Sequence, residues 1–166
     1  MTFLSKATLV AAALALAACN NPRGGADDYQ YGGTGGISST ALGDPSDPTS
    51  IAYFNTTIGD TVQFTVNSSE LSNQGTIILR TQAVWLNRYP QLSILIEGHA
   101  DERGTREYNV ALGAQRAARV QQFLISEGVS AQRIRTVSYG KERPIEVCAV
   151  QRCWDLNRRA ATVVSN

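Results

Sequence analysis

The chain has 166 residues, 43% of them apolar, and a formal net charge of +1. That length allows one ordinary domain with accessory segments, and the near-neutral balance lacks the basic footprint of a nucleic-acid binder. The cations are lopsided, thirteen Arg against two Lys. Two explanations fit the bias: genome composition, or recognition of carboxylates and phosphates by a planar fork.

Residues 1–18 read as a secretory signal. Lys6 supplies a cation, and ATLVAAALALAA is a short apolar run ending in small residues, too short for a permanent span. The run leads into Leu16-Ala17-Ala18-Cys19. This is similar to a bacterial lipobox, in which cleavage before the cysteine leaves a thiol that carries diacylglycerol. The mature chain is then anchored by acyl chains, each buried methylene adding about 0.8 kcal/mol. Asn20, rather than Asp, follows the cysteine. In the enterobacterial sorting pattern that is compatible with the outer membrane.

Residues 19–50 form the next segment. They hold seven of the fourteen glycines and three of the five prolines. With no apolar periodicity, they read as a flexible tether with a reach of roughly 30 Å. A globular domain is expected over 51–166. TVQFTV (61–66) alternates and predicts a strand. Ser72 is placed to cap a helix over 73–88, with Ile78, Leu79, Trp85 and Leu86 as its apolar side and Pro90 as its stop. LSILIEG (92–98) is a buried strand. A second helix runs over 106–127 and ends at Gly128. RIRTVSYG (133–140) and ATVV (161–164) are the last strands. The order β-α-β-α-β-β predicts an α/β (α+β) sandwich, its helices packed on one face of a mixed four-stranded sheet.

The second helix carries the most informative pattern. At 100° per residue, Asn109, Leu112, Arg116, Val120, Phe123 and Leu124 fall within about 60° of one line. The C-terminal half of this stripe is plain core, and the N-terminal half turns polar while facing the same way. A buried guanidinium is costly unless paired, so Arg116 needs an anionic partner or a place at the open edge of the core. Asp101 and Glu102 lie just upstream, in the strand-to-helix loop. Two arrangements satisfy the pattern. One is an internal Arg116–Asp101 salt bridge. The other is a pocket with one anionic and one cationic wall, suited to a zwitterionic ligand.

GHADERGTREYNVALGAQRA (98–117), VSYGKERP (137–144) and NRRA (157–160) resemble the signature of the OmpA-like peptidoglycan-binding domain family, in particular its lipid-anchored members. The resemblance implies that the ligand is the diaminopimelate side chain of the peptidoglycan stem peptide, whose free end is a zwitterion. Asp101 maps to the residue that takes its ammonium, and Arg116 to the residue that takes its carboxylate. Asn109 and Leu112 match neighbouring positions of the pocket. In the first-strand motif Phe64 is kept, whereas Thr65 stands where an aspartate is common, which leaves that position a backbone contact. Further implications are an outer-membrane lipoprotein with its domain in the periplasm, and partnership with TolB and other proteins of the Tol system in envelope integrity and cell division.

With Cys19 lipidated, Cys148 and Cys153 remain as an even pair in an oxidising compartment, separated by AVQR. A disulfide closing a stapled loop fits them; metal ligation would need about four ligands. His99 could be a general base, but no Ser or Cys nucleophile motif accompanies it, and a hydrogen-bonded role at the strand end fits better. Arg103 and Arg106 belong to a solvated rim, with a second reading in which one of them holds ligand. Of Arg158 and Arg159, alternation lets only one face inward. Trp85 and Trp154 read as packing residues. No metal site, cofactor or catalytic residue is assigned. A periplasmic wall hydrolase and a motor stator relative are the competing functions. The hydrolase would need a nucleophile, a metal set or carboxylates spaced across a sugar, and the stator relative a transmembrane helix ahead of the domain.

Overall fold

The structure is a computed structural model that describes residues 42–166. The signal peptide, Cys19 and the tether up to residue 41 lie outside the described residues. Ser50 opens a short helical segment by accepting a bond from the Tyr53 N–H at 2.9 Å. This segment, α1, is α-helical over Ile51–Tyr53 and π-wound over Phe54–Gly59. Its Phe54 is fully buried against Trp85, with ring centroids 4.9 Å apart. Sequence reading missed α1, because nine residues rich in β-branched and small side chains show no helical period.

Strand β1 spans Thr61–Gln63, three residues fewer than expected. The chain leaves the ladder at Phe64, whose N–H donates to Arg158 O at 2.8 Å. It then turns at Asn67, which adopts a left-handed φ of 53°, a conformation Asn tolerates better than most residues. Helix α2 spans Asn73–Arg88, with Ser72 Oγ capping the Gly75 N–H at 3.0 Å. Leu79, Trp85 and Leu86 are buried as the pattern predicts, and Ile78 packs at their edge.

Strand β2 spans Ser93–His99, helix α3 Arg106–Ser126 and strand β3 Ile134–Gly140. Thr105 caps α3 by accepting from the Tyr108 N–H at 3.2 Å, and Gly128 just beyond its end takes φ +93°. A short helix, α4, spans Gln151–Asn157 and leads into β4, Arg159–Ser165. The stapled loop expected here is therefore partly helical. Cys148 and Cys153 are joined by a disulfide, as expected, with Cα atoms 5.8 Å apart.

The four strands lie in the order β1-β4-β2-β3. β2 and β3 are parallel, linked across α3, while β4 is antiparallel to both β1 and β2. Ile94, Ile96, Ala160, Thr162 and Val164 are buried under α2 and α3, and Leu95, Glu97, Ala161 and Val163 on the other face are only half-buried. This is the mixed sheet with helices on one face that the sequence predicts. At one point the layers touch backbone to backbone. A Cβ on Gly98 of β2 would collide with the Gly113 carbonyl of α3. That closeness sets the end of β2 against the middle of α3, where the site forms.

Candidate functional site

Arg116 is 0% exposed, the largest fully buried side chain among the described residues. Of the two expected solutions, an anionic partner or a place at the edge of the core, the structure shows no anionic partner bonded to it: its guanidinium meets backbone carbonyls and borders a cavity. Nε donates to Ser68 O at 2.9 Å, Nη1 to His99 O at 2.7 Å and Nη2 to Thr65 O at 3.1 Å. Carbonyl dipoles satisfy donors without cancelling charge. Burial, with the nearby Arg158 cation, therefore pushes the Arg116 pKa down to about 10, against the opposing pull of Asp101 and Tyr108. It remains a cation at neutral pH. A guanidinium has five N–H donors, so two are left over.

Asp101, just past the end of β2, is also buried. Its carboxylate takes Arg103 Nη2 at 2.8 Å and Arg158 Nη1 at 3.0 Å, and its Oδ1 accepts from the Arg103 N–H at 3.1 Å. Burial by itself would raise this carboxyl. The bonds from Arg103 and Arg158 outweigh it and hold the group below the usual carboxylate range. No bond joins Asp101 to Arg116 among the described residues. Of the two arrangements, the internal salt bridge is absent, and the two groups stand on the walls of one cavity of about 580 Å³.

Asn109, Leu112, Arg103 and Arg158 complete the inner wall, and Val66 and Tyr108, both half exposed, frame the mouth. Asn109 is buried and donates from Nδ2 to Arg103 O at 2.9 Å, tying α3 to the 101–105 loop. Four sequence-selected residues thus come together: Asp101, Asn109, Leu112 and Arg116. Phe64 and Thr65 do not line this cavity. Phe64 is buried with its ring centroid 5.2 Å from the Arg116 guanidinium carbon. Thr65 contributes only its carbonyl to Arg116, its side chain being exposed, so the backbone contact expected of it is to Arg116. Both instead border a neighbouring recess of about 510 Å³, with Arg158 in the wall between the two spaces.

Arg158 is the residue that sequence reading left unassigned. It bonds Asp101, Asp155 and Phe64 O. Arg158 is the C-cap of α4, ahead of the strand, and both it and Arg159 are buried: Arg158 lines the cavity, and Arg159 donates from Nη2 to Arg143 O at 3.2 Å. Arg103 lines the cavity, whereas Arg106 pairs with Glu142 at 3.2 Å. Trp85 is core, but Trp154 stacks under Arg103 at 4.3 Å and donates from Nε1 to Glu102 Oε1 at 3.0 Å. The His99 carbonyl accepts from Arg116 Nη1 at 2.7 Å. Neither ring nitrogen has a hydrogen-bond partner among the described residues, and Glu97 stands 3.6 Å from Nε2. Burial, then Arg159 and Arg143, push its pKa down to about 4, so the ring is neutral at pH 7. No cluster of three His, Cys, Asp or Glu that could hold a metal occurs among the described residues.

A family profile described as the OmpA family matches residues 63–152. The chain is 47% identical over 152 residues to the peptidoglycan-associated lipoprotein of Agrobacterium fabrum, covering 92% of this chain and 82% of that one. It is 53% identical over 118 residues to the protein of the same name from Brucella melitensis, 71% of this chain and 70% of the relative. Among solved structures, the peptidoglycan-associated lipoprotein of Burkholderia pseudomallei is similar with a TM-score of 0.65 and 38% identity, over 75% of this chain and 99% of that one. The C-terminal domain of Helicobacter pylori MotB shares the fold, with a TM-score of 0.61 at 24% identity over 64% of this chain and 84% of that one. The chain belongs to the OmpA family, in its peptidoglycan-associated lipoprotein group.

Proposed function

We propose that the chain is an outer-membrane lipoprotein that grips peptidoglycan non-covalently, with the diaminopimelate end of a stem peptide in the Asp101–Arg116 cavity. The observation that carries this reading is the separation of the two charges. A buried carboxylate and a buried guanidinium share one cavity and do not bond each other; the guanidinium keeps two donors, and the carboxylate is held ionised by Arg103 and Arg158. A zwitterion fits both walls, its ammonium on Asp101 and its carboxylate on the two spare donors of Arg116. Asn109 and Leu112 shape the space between. Arg116 is sealed, so the ligand reaches those donors by displacing side chains at the mouth. The names of the relatives support the wall as the source of the ligand.

The lipid on Cys19 would hold the outer membrane and the domain would hold the wall. By family resemblance, TolB and the other Tol proteins are the protein partners, in envelope integrity and cell division. The function is binding, with no catalytic residue assigned.

Sedimentation with purified sacculi tests the site. Asp101→Asn keeps the shape and removes the charge, Arg116→Lys keeps the charge and removes the planar fork, and each is expected to lower bound protein at least tenfold. Folded variants that sediment like the wild type would refute the assignment. Release of soluble muropeptides by the purified chain would show a hydrolase instead. For the anchor, Cys19→Ala is expected to move the protein from the outer-membrane fraction to the soluble periplasm. Continued membrane fractionation would reject lipidation.

A further inference from the structure

The charges around the cavity do not balance. Arg103, Arg116 and Arg158 line it, against the single carboxylate of Asp101. Asp155 bonds Arg158 from the side of the neighbouring recess. Three cations against these two anions leave one positive charge in excess. Glu102 and Lys141 lie outside the lining and carry opposite charges; Lys141 Nζ donates to the backbone carbonyls of Glu102 and Gly104, and the Glu102 carboxylate accepts from Trp154 Nε1. A zwitterion brings no net charge and leaves the excess in place.

The excess is localised by geometry. Arg116 has its zwitterion carboxylate to bind, and Arg158 is shared between Asp101 and Asp155. Arg103 is the cation with a free side. It meets Asp101 through Nε at 3.4 Å and Nη2 at 2.8 Å, and Nη1 makes no bond among the described residues. Its side chain is 43% exposed. Its plane is fixed by stacking on Trp154, which Glu102 holds in turn. An exposed guanidinium normally loses rotamer freedom on taking a ligand. Here the stack and the carboxylate have already restricted it, so less entropy is lost on binding.

We propose that Arg103 is a second anion anchor of this site, and that the ligand carries a further carboxylate next to its zwitterionic end. This rests on the proposed function and narrows it. The preferred ligand is a diaminopimelate peptide whose preceding residue keeps a free carboxylate, in contrast to one where that group is amidated. Trp154 is the positioning residue, since it touches Arg103 and not the cavity.

Titration of the full chain by NMR or calorimetry, with three probes, tests this. The probes are diaminopimelate, a peptide with a free carboxylate on the residue preceding diaminopimelate, and the same peptide amidated there. Wild type is expected to prefer the carboxylate peptide over the amide by roughly tenfold or more, the scale of one charge-assisted hydrogen bond. Arg103→Gln is expected to abolish that preference, read as the ratio of the two peptide affinities whatever its effect on diaminopimelate alone. Trp154→Leu, which keeps every charge, is expected to reduce the preference about threefold, consistent with a stacking contribution at a partly exposed site. If diaminopimelate binds but wild type treats the two peptides alike, the second anchor is refuted and the zwitterion site survives. The same holds if Arg103→Gln discriminates like wild type. If none of the three probes binds wild type, both readings fall together.

Discussion

Two arginines at opposite ends of β2 spend their donors alike. Arg116 bonds the carbonyls of Ser68, His99 and Thr65. Arg133 bonds those of Leu92, Leu86 and Tyr89 at 2.8, 3.1 and 2.9 Å, clamping the end of α2 to the starts of β2 and β3. By hydrogen bonds alone the two would receive the same description. Their surroundings differ. The recess beside Arg133 is lined by Ser93, Gln132 and Arg135 and contains no carboxylate, whereas the Arg116 cavity faces Asp101. Three carbonyl bonds mark a clamp; the clamp at Arg116 also shares a cavity with an opposite charge, which makes it the candidate site.

The strongest way to break this comparison is to remove each arginine. Arg116→Ala leaves a void and three stranded acceptors in the core, a loss on the order of 3–5 kcal/mol. Thermal unfolding should show it directly, and wall binding should vanish even in the folded fraction. Arg133→Ala exposes its carbonyls to water and should cost about 1–2 kcal/mol with sacculus binding intact. Equal loss of binding in both variants would mean that Arg116 acts through stability alone.

His99 sharpens the contrast through pH, because its carbonyl holds Arg116 while its ring sits on the opposite face of the sheet. Unfolded, the ring titrates near 6.5; folded, near 4. Between those values the unfolded chain carries a proton that the folded chain lacks. Stability therefore rises with pH through this window and is lost on acidification, by roughly 2–3 kcal/mol between pH 7 and pH 4. Glu97, Arg159 and Arg143 face the ring and shape this dependence. His99→Phe should flatten denaturation midpoints measured across that range, and an unchanged slope would contradict the assignment.

The smallest effect on wall binding among the site variants is expected at the disulfide. Replacing Cys148 and Cys153 by Ser opens a very short loop and should cost about 2 kcal/mol. Because α4 carries Trp154 and Arg158, the site should loosen as well, reducing wall binding by a few-fold. The Arg133 end is far from α4 and should keep its amide protection in hydrogen exchange.

Much of the site was legible because a helix converts spacing into direction. Asn109, Leu112 and Arg116 share a face with Val120 by phase alone, and the structure buries all four. What phase could not show was the identity of Arg116's partners, since backbone carbonyls leave no trace in side-chain chemistry. For Arg158 the sequence leaves two readings open, bordering the pocket or covering the sheet, because strand alternation does not govern a residue that ends a short helix, and α4 itself has too few residues to display a period. Similarly, α1 hid behind a composition that favours strands. Phe64 was noticed through the family pattern, but the structure gives it the underside of Arg116 in place of the cavity wall.

The segment after β1 has a mechanical consequence. β1 is a three-residue edge strand, paired only with β4, and by itself would peel from the sheet under a modest pull. Just beyond it, Arg116 holds the carbonyls of Thr65 and Ser68, and Arg158 exchanges bonds with both polar groups of the Phe64 backbone. In the proposed tether, tension from the membrane reaches the domain ahead of β1, where Ile51 and Phe54 of α1 are seated in the core and Pro48 O accepts from Trp85 Nε1, and tension from the wall enters at Arg116. The load therefore crosses the packed core, and the bonds of Arg116 and Arg158 to the segment after β1 keep the corner at the wall end from opening under it.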